Sequence, residues 1–372
     1  MAPQTDESTL VRNDDFAPTL VHWQRLHGRH DLPWQHGDAY GVWVSEIMLQ
    51  QTQVQTVIGY YARFMARFPT LAALAAADEG SVMESWSGLG YYARARNLHR
   101  AAREVMQRFD GRFPATAGDI ASLPGIGRST AAAIATFCFG AHEPILDGNV
   151  KRVFARVFGI EGFPGARAVE QQMWALAHEL MPTRDGAAYT QALMDLGATV
   201  CTRARPRCAD CPLRARCVAE RASRQRELPA PRPAKVRPQR LRFALLIECA
   251  GRVLLERRPG QGIWGGLLSL PELTAQTQPD ALAEAGRWLA SHGLSDHAVE
   301  AMAPVVHGFT HFELHLVPLH VCIASSAAPV LAAKTALHWQ PLDSATEAAL
   351  PAPVRKLLAQ HDAGRRTSRR LP

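Results

Sequence analysis

The chain has 372 residues, enough for two or three domains with cores of their own. Hydrophobic residues make up 47% of it and charged residues 20%, and no apolar run is as long as a membrane-spanning helix, so no membrane partner is expected. The formal charge is +7, almost all of the excess being arginine, which favours phosphate recognition. Charge alone does not separate a nucleic-acid-binding protein from a basic protein without such a partner.

The N-terminal part of the chain is predicted to be helical. Residues 1–15 are polar and acidic, unlike a signal peptide, and are expected to form a disordered tail on a cytoplasmic protein. Residues 16–221 follow as a helical region. Within it, apolar residues at helical spacing mark one helix over 54–68 and another over 150–158.

Glu46 stands in an unusually apolar and aromatic segment, Val42-Trp-Val-Ser-Glu-Ile-Met-Leu-Gln-Gln-Thr-Gln53. A carboxyl group buried among such neighbours has a raised pKa and can stay protonated, as a general acid requires. A glutamate in a helix is more commonly a solvated surface residue. The surroundings of Glu46 make it a candidate acid.

A turn rich in glycine follows. The sequence Leu123-Pro-Gly-Ile-Gly127, continued by Arg128-Ser-Thr-Ala-Ala-Ala-Ile134, predicts a helix–hairpin–helix over about 119–138. Gly125 and Gly127 permit a tight turn and let backbone N–H groups approach a phosphate at the start of the next helix. Such contacts hold DNA without reading its bases. A Gly-x-Gly turn by itself is also an ordinary helix connection.

Asp147 precedes an amphipathic helix in the segment Pro144-Ile-Leu-Asp-Gly-Asn-Val150. It is a predicted N-cap, and a carboxylate at the start of a helix stays ionised and well oriented. With Glu46 neutral and Asp147 charged, the chain would carry the pair of carboxyl groups that cleavage of a glycosidic bond uses.

Four of the seven cysteines form the pattern C-x6-C-x2-C-x5-C: Cys201, Cys208, Cys211 and Cys217. Thiolates spaced this closely indicate a cation site, either zinc or an iron–sulfur cluster. Zinc sites usually combine two C-x2-C pairs or Cys/His pairs, whereas the unequal gaps suit a cubane. Four cysteine ligands leave no open position, which favours a structural role. The arginines among them could present a basic surface to phosphate: Arg203, Arg205, Arg207, Arg214 and Arg216.

Beyond the cysteines the composition changes. Prolines and arginines over 222–240 indicate an extended linker, whose charge could also follow a DNA backbone. The elements predicted after it are strands over 241–249 and 252–257, a helix over 280–292 and a strand over 312–322. They indicate a separate α+β domain over 241–362, followed by a basic tail over 363–372. Cys138, Cys249 and Cys322 stand in apolar segments and are predicted to be buried thiols.

These segments together resemble the adenine DNA glycosylases of the MutY type, in the endonuclease III superfamily. The resemblance covers nearly the whole chain. It rests on Ser45–Gln53, Gly88–His99, the predicted hairpin, Leu146–Arg152 and the four-cysteine segment. It implies a mainly α N-terminal glycosylase region, a six-helix barrel plus an iron–sulfur cluster domain, and a separate α+β Nudix-like domain. In that family the four cysteines hold one 4Fe–4S cluster.

The resemblance also implies an activity. The family removes adenine paired with 8-oxoguanine or guanine after rotating the adenosine out of double-stranded DNA. Glu46 matches the acid that protonates adenine, and Asp147 matches the carboxylate that stabilises the oxocarbenium-like sugar. Gln51 matches the side chain inserted into the base stack, and Tyr91 a residue beside the lesion. The other expected DNA contacts are Gly125, Gly127, Ser129, Asn149, Lys151, Thr310 and His311, and the expected adenine pocket is Trp34, Gln35 and Gln191. A monomer is expected.

Ser129 departs from the wider superfamily, whose bifunctional members carry a Schiff-base lysine at this position. A hydroxyl cannot form an imine with the abasic sugar, so the resemblance implies a glycosylase without a strong lyase step. Lys151 is read as a phosphate or substrate contact. In the C-terminal domain nothing matches the R-E-x-x-E-E run of Nudix hydrolases, and Thr310 stands where many relatives have Ser to contact 8-oxoguanine.

Two other functions fit parts of the sequence. A bifunctional glycosylase/lyase fits the cysteines and the hairpin, but Ser129 and the C-terminal domain speak against it. A non-catalytic DNA-damage-binding protein would need neither Glu46 nor Asp147. The favoured hypothesis is therefore a monofunctional adenine DNA glycosylase of base-excision repair.

Overall fold

The computed structural model describes residues 15–35, 37–233, 236–259, 262–294, 297–309, 311–324 and 337–368. Thr310 and residues 1–14 lie outside these ranges. The chain forms two compact units, Met1–Ala76 with Asn97–Ala234 and Ala77–Arg96 with Lys235–Pro372. The sequence predicts one division, at the linker, whereas the segment Ala77–Arg96 groups with the C-terminal unit.

The first unit is built from helices, as the apolar periodicity predicts. Up to residue 221 the helices of the chain are α1 (Phe16–His27), α2 (Ala39–Leu49), α3 (Val54–Arg67), α4 (Leu71–Ala76), α5 (Glu79–Ser85), α6 (Ala93–Arg108), α7 (Ala117–Ala121), α8 (Arg128–Phe139), α9 (Gly148–Val157), α10 (Arg167–Glu179), α11 (Gly186–Asp195) and α12 (Val218–Arg221). A π-helical turn, Leu196–Val200, continues α11. Over the described residues, no helix combines the length and the apolar character needed to span a bilayer.

An apolar core joins helices α1, α8, α9, α10 and α11 of the first unit. Helix α8 lies near its centre, packed against α2, α7 and α11, and α1 packs against α11. Phe16 of α1, Phe154 of α9 and Tyr189 of α11 are almost completely buried, with ring centroids 6.2 to 6.3 Å from Phe16. Burying a large apolar side chain stabilises a fold by about 1.5–3 kcal/mol. This core therefore holds α8 and α9, at whose starts Ser129 and Asp147 lie.

The second unit is a mixed sheet with helices on both faces. Its strands are β1 (Gln239–Cys249), β2 (Arg252–Arg257), β3 (Leu268–Ser269), β4 (Glu272–Leu273), β5 (Glu300–Ala301), β6 (Val305–Gly308), β7 (Glu313–Cys322) and β8 (Leu337–Pro341). Strands β1 and β2 form the predicted antiparallel hairpin. The long strands β1 and β7 pair in parallel, from Gln239 opposite Glu313 to Glu248 opposite Cys322.

Alternate residues of β1 and β7 face opposite sides of this sheet. Phe243 and Leu245 pack with helix α13 (Gln278–Ala290), close to the predicted helix. Ala244 and Leu246 pack on the other face with the C-terminal helix α14 (Ala352–Ser368). The sequence predicts a basic tail from residue 363, whereas α14 continues to Ser368. Alanine and arginine favour helix and extend it.

Candidate active site

Glu46 lies on α2, a helix that is buried along most of its length. The helix starts at Asp38, whose side chain accepts a hydrogen bond from the Gly41 N–H at 2.9 Å. The residues beside Glu46, Ser45 and Ile47, are almost fully buried, whereas Glu46 itself is partly exposed. The apolar composition of α2 thus places one carboxyl group in a mostly apolar environment.

Asp147 is the N-cap of α9, as the sequence predicts. Its Oδ1 accepts a hydrogen bond from the Val150 N–H at 2.8 Å, and its Oδ2 accepts one from the Asn149 side chain at 3.2 Å. Arg152 donates in turn to the Asn149 oxygen at 2.8 Å. Asn149, an expected DNA contact, is thereby also a direct partner of the candidate carboxylate and fixes its orientation.

The two carboxyl groups influence each other. Burial and, to a smaller extent, the negative charge of Asp147 together raise the pKa of Glu46 to about 7. Burial also raises the pKa of Asp147, against hydrogen bonds from Val150 and Asn149 and the charge of Arg152, which lower it. The sequence predicts that Asp147, as the N-cap of α9, stays ionised. In the structure, burial opposes this by raising the pKa of Asp147. The hydrogen bonds from Val150 and Asn149 stabilise the ionised form of Asp147. When the two carboxyl groups share one proton, Glu46 is therefore the favoured position for it.

The predicted hairpin connects α7 to α8. Gly125 has φ +80°, and a Cβ there would lie 2.6 Å from the Asn97 Cβ, so a larger residue does not fit. Gly127 is the N-cap of α8, with φ −87° and open space around it, so it is not required for a strained turn. Because Gly127 has no side chain to cap α8, the exposed start of this helix can accept an anion.

Ser129 and Lys151 make contacts within the protein. The Ser129 Oγ accepts a hydrogen bond from the Leu146 N–H at 2.9 Å, which fixes the backbone next to Asp147. The Lys151 ammonium group lies 2.6 Å from a Glu170 carboxylate oxygen. Ser129 therefore supports the loop that carries Asp147, and the charge of Lys151 is partly compensated.

Gln51 and Tyr91 both have positive φ angles, 59° and 49°. This conformation is costly for residues other than glycine and is found most often at functional positions. Both side chains are exposed, 54% in the case of Tyr91. Their backbone geometry presents two large side chains to solvent, one in each unit.

The residues expected to line an adenine pocket divide into two groups. Trp34 is buried and packs edge-on against Tyr61, with ring centroids 5.4 Å apart. Gln35 donates to the Arg29 carbonyl at 2.6 Å, and Gln191 donates to an Asp195 oxygen at 2.8 Å. The two glutamines thus belong to one network.

Arg29 and Asp195 connect that network, and the sequence reasoning missed both. Asp195 is completely buried, and Arg29 donates to its two oxygens through Nε at 2.7 Å and the backbone N–H at 2.9 Å. A signal was present in the sequence. Asp195 lies three residues after Ala192 and one before Leu196, on the apolar stripe of α11, where an acid requires a buried partner.

The four loop cysteines surround one cavity, which is also lined by Val153, Leu196 and Val200. Within the described chain no three of the sulfur atoms lie within 4.8 Å of one another. A single tetrahedral zinc would bring them to about 3.8 Å, from its zinc–sulfur bonds of about 2.3 Å. Burial and the neighbouring Glu220 carboxylate, more than the other thiols, raise the pKa of Cys208 to about 11. Thiolates here need a bound cation.

Two of the exposed loop arginines have acidic partners. Arg214 lies 3.4 Å from a Glu220 oxygen, and Arg207 lies 3.7 Å from Asp210. Arg203 and Arg205 are exposed. The basic surface expected from five arginines is therefore reduced by ion pairs within the loop.

Arg156 of α9 forms hydrogen bonds to the backbone of this loop. Its side chain is 3% exposed and donates to the carbonyls of Leu228, Thr202 and Arg203 at 2.7 to 3.1 Å. It also lies 3.4 Å from the Cys201 sulfur. One buried guanidinium thus connects α9 to the start of the cysteine loop and to Leu228, which lies beyond α12.

Arg156→Met should destabilise the first unit by about 3 kcal/mol, because one buried and two partly buried carbonyls lose their donor while the volume is nearly kept. The midpoint of denaturant unfolding measures this loss. Arg205→Met, at an exposed position of the same loop, should leave the midpoint unchanged. Equal midpoints for the two variants would contradict the role given to Arg156.

In the second unit His311 is exposed, next to a cluster of aromatic rings. Phe309 stacks on Phe312 at 4.4 Å between centroids and lies 5.3 Å from Trp264. His311 meets Phe312 edge-on at 4.8 Å. Aromatic rings therefore precede position 310 in the chain, at Phe309, and follow it, at His311 and Phe312.

Comparison with known proteins defines the class to which this site belongs. Residues 44–179, which include Glu46 and Asp147, match the HhH-GPD superfamily of base excision DNA repair proteins, and residues 242–360 match the NUDIX domain. A thermostable thymine-DNA glycosylase has the fold of the helical region, with a TM-score of 0.52 and 27% identity over 56% of this chain and 97% of that one. The predicted fold class is confirmed.

Relatives that match most of the chain identify the family within this superfamily. The chain is 33% identical to the adenine DNA glycosylase of Buchnera aphidicola subsp. Acyrthosiphon pisum (strain APS) over 92% of this chain and 96% of the relative. It is 37% identical to that of Homo sapiens over 80% of this chain and 65% of the relative. The chain belongs to the adenine DNA glycosylase family. It is a DNA glycosylase, a hydrolase of N-glycosyl bonds.

Proposed function

We propose that this enzyme removes adenine mispaired with 8-oxoguanine or guanine, by hydrolysis and without a strong lyase step. The observation that carries the proposal is the pair of carboxyl groups in the first unit. Glu46, with a pKa near 7, can hold a proton at neutral pH, and Asp147 is oriented by hydrogen bonds at the start of α9. Breaking an N-glycosidic bond to adenine requires both a proton donor and a negative charge.

In this mechanism the adenosine leaves the base stack and Glu46 donates a proton to the adenine ring, which makes adenine a better leaving group. Positive charge then develops on the sugar, and Asp147 stabilises it electrostatically. Water attacks the sugar and completes hydrolysis. The Asn149 side chain and the Val150 N–H keep the Asp147 oxygens in place throughout.

The absence of a strong lyase step is inferred from Ser129 and Lys151. Ser129 stands at the position where a lyase would carry its amine, and its Oγ accepts the Leu146 N–H. A hydroxyl group cannot form an imine. Lys151, the lysine nearest to Asp147 in sequence, is paired with Glu170. Both observations favour release of the base without cleavage of the strand.

DNA binding is proposed to use contacts to the backbone and to the gap left by the flipped base. The open N-terminus of α8, preceded by Gly125 and Gly127, would hold a phosphate. The exposed Gln51 would fill the gap in the stack, and Tyr91 would lie beside the lesion. Recognition of 8-oxoguanine is assigned to the second unit, around Thr310 and the exposed His311. Trp34, Gln35 and Gln191 would support the adenine pocket.

The four cysteines are proposed to hold one 4Fe–4S cluster. The donor set fits this group, because four thiols line a single cavity and four thiolates are the usual ligands of such a cluster. Bound there, the cluster would supply a rigid cross-link between the ends of the loop. The carboxyl groups, and no cysteine, would carry out the hydrolysis.

A duplex with one adenine opposite 8-oxoguanine tests the proposal. After incubation, half of the sample is treated with alkali, which cleaves abasic sites. Strand cleavage only after alkali is the expected result, and cleavage without alkali would refute the absence of a lyase step. Duplexes with A opposite guanine and with A opposite T are the matched controls. Equal rates on all three would refute the mispair specificity.

The rate of base release should fall as the pH rises through about 7. Glu46 acts in its protonated form, and the protonated fraction drops tenfold per pH unit above its pKa of about 7. Single-turnover rates between pH 6 and 9 measure this dependence. A rate that stays constant over this range would show that Glu46 is not the acid.

A further inference from the structure

A cluster of metal-ligating side chains lies in the second unit, away from the carboxyl pair and the four-cysteine loop. The alternation of β1 and β7 explains why it forms. Glu248 continues the face of Ala244 and Leu246, which α14 covers, and His320 continues the same face of β7. His361 reaches the two strands from α14.

The atoms of this cluster converge. The Glu248 Oε2 lies 2.9 Å from the His361 Nε2 and 3.6 Å from the His320 Nε2, and the three ligand atoms all lie within 4.8 Å of one another. Two zinc ligands at about 2.1 Å, meeting at the tetrahedral angle, would be about 3.4 Å apart. The distances from the Glu248 Oε2 to the two histidine nitrogens, 2.9 and 3.6 Å, lie below and above this ideal separation of about 3.4 Å.

Cys322 is a fourth candidate ligand beside these three, and its sulfur lies outside the set of atoms that are all within 4.8 Å of one another. It is the residue of β7 that pairs with Glu248, and its sulfur lies 3.6 Å from the His320 Nε2. Zinc bonds of about 2.1 Å to nitrogen and 2.3 Å to sulfur would place those two atoms about 3.6 Å apart. The sequence predicts a buried thiol here, whereas Cys322 is exposed. A thiol at the solvent edge can lose its proton when a metal enters.

Two further features suit a metal site. Arg365 contacts the second oxygen of Glu248, Oε1, and so leaves Oε2 directed at the two histidines. Such outer contacts orient metal ligands. A surface cleft lined by Met302, Leu357, His361 and Arg365 opens beside the cluster and gives an ion a route from solvent.

We propose that Glu248, His320, Cys322 and His361 bind one zinc ion. The donor set of two imidazoles, one carboxylate and one thiolate suits zinc. Four protein ligands leave no position for substrate, so the ion is structural. It fastens α14 to the ends of β1 and β7. This site is independent of the proposed glycosylase mechanism.

Zinc and iron measured in the same sample of the full-length protein test the proposal. After incubation with zinc chloride and removal of free metal, the protein should hold one more zinc per chain than His361→Ala, with equal iron. The X-ray absorption edge of zinc should show nitrogen, oxygen and a single sulfur. His315→Ala, a histidine of β7 paired with Glu313, is the matched control and should keep the zinc.

Cys322→Ser is a second variant that distinguishes loss of a zinc ligand from a folding defect. Position 322 is exposed and the change is small, so the fold should be kept. It should weaken zinc binding at least tenfold in a chelator competition while the unfolding midpoint without zinc stays unchanged. Equal zinc content in wild type and His361→Ala would overturn the proposal. So would a zinc edge with sulfur ligands alone, which would place the ion in the four-cysteine loop.

Discussion

Glu46→Gln is expected to slow adenine release by roughly 10²- to 10⁴-fold, the usual contribution of a general acid. Glutamine has nearly the same shape as the protonated acid but has no acidic proton to give to adenine. The proposed phosphate contacts lie elsewhere, at the start of α8, so affinity for the duplex should be retained. Single-turnover rates on the duplex with A opposite 8-oxoguanine measure the first effect, and electrophoretic mobility shifts measure the second.

Glu104→Gln is the matched control for this substitution. Glu104 lies on α6 in the first unit and pairs with Arg108 at 3.1 Å on the surface. The same chemical change there should leave the rate within about twofold, because surface ion pairs contribute little. If Glu46→Gln were as active as Glu104→Gln, Glu46 could not be the proton donor.

Asp147→Asn is expected to lower the rate by roughly 10²- to 10³-fold, the range for losing one electrostatic contact to a transition state. Asparagine caps a helix about as well as aspartate, so α9 and the unfolding midpoint should be preserved. Loss of activity at constant stability would separate the role of the charge from that of the cap. Undiminished activity would contradict the role in stabilising the sugar.

The pH dependence of the residual activity of Asp147→Asn is a second test of the carboxyl pair. The negative charge of Asp147 raises the pKa of Glu46, so its removal should lower that pKa. The fall in residual rate with rising pH should then begin at a lower pH than in the wild type. Asp78→Asn, which changes the N-cap of α5, is the control and should leave the pH profile unchanged.

Local sequence signals predicted much of the candidate site. Asp147 was identified as an N-cap because an acid stands directly before an amphipathic helix, and the hydrogen bond from Val150 confirms it. Gly125 was identified as a turn residue, and its φ of +80° confirms that. In both cases the physical cause acts within a few residues, so it is visible in the sequence.

Long-range partners were not predictable in the same way. Asp195 meets Arg29 across 166 residues, and Lys151 meets Glu170 through the packing of helices. The grouping of Ala77–Arg96 with the C-terminal unit is another example. Nothing in the composition of either partner specifies the other, because such pairs depend on which surfaces the fold brings together.

The sequence by itself determined the family, the helical and mixed α+β regions and the candidate catalytic residues, because these depend on residue types at short spacing. The apolar segment around Glu46 already predicts a raised pKa, but only the tertiary structure decided that Asp147, about 100 residues away in the chain, adds its charge to that effect. It alone also decided that Glu248, His320 and His361 meet, because parallel pairing of β1 with β7 and the packing of α14 bring together segments that are distant in the chain.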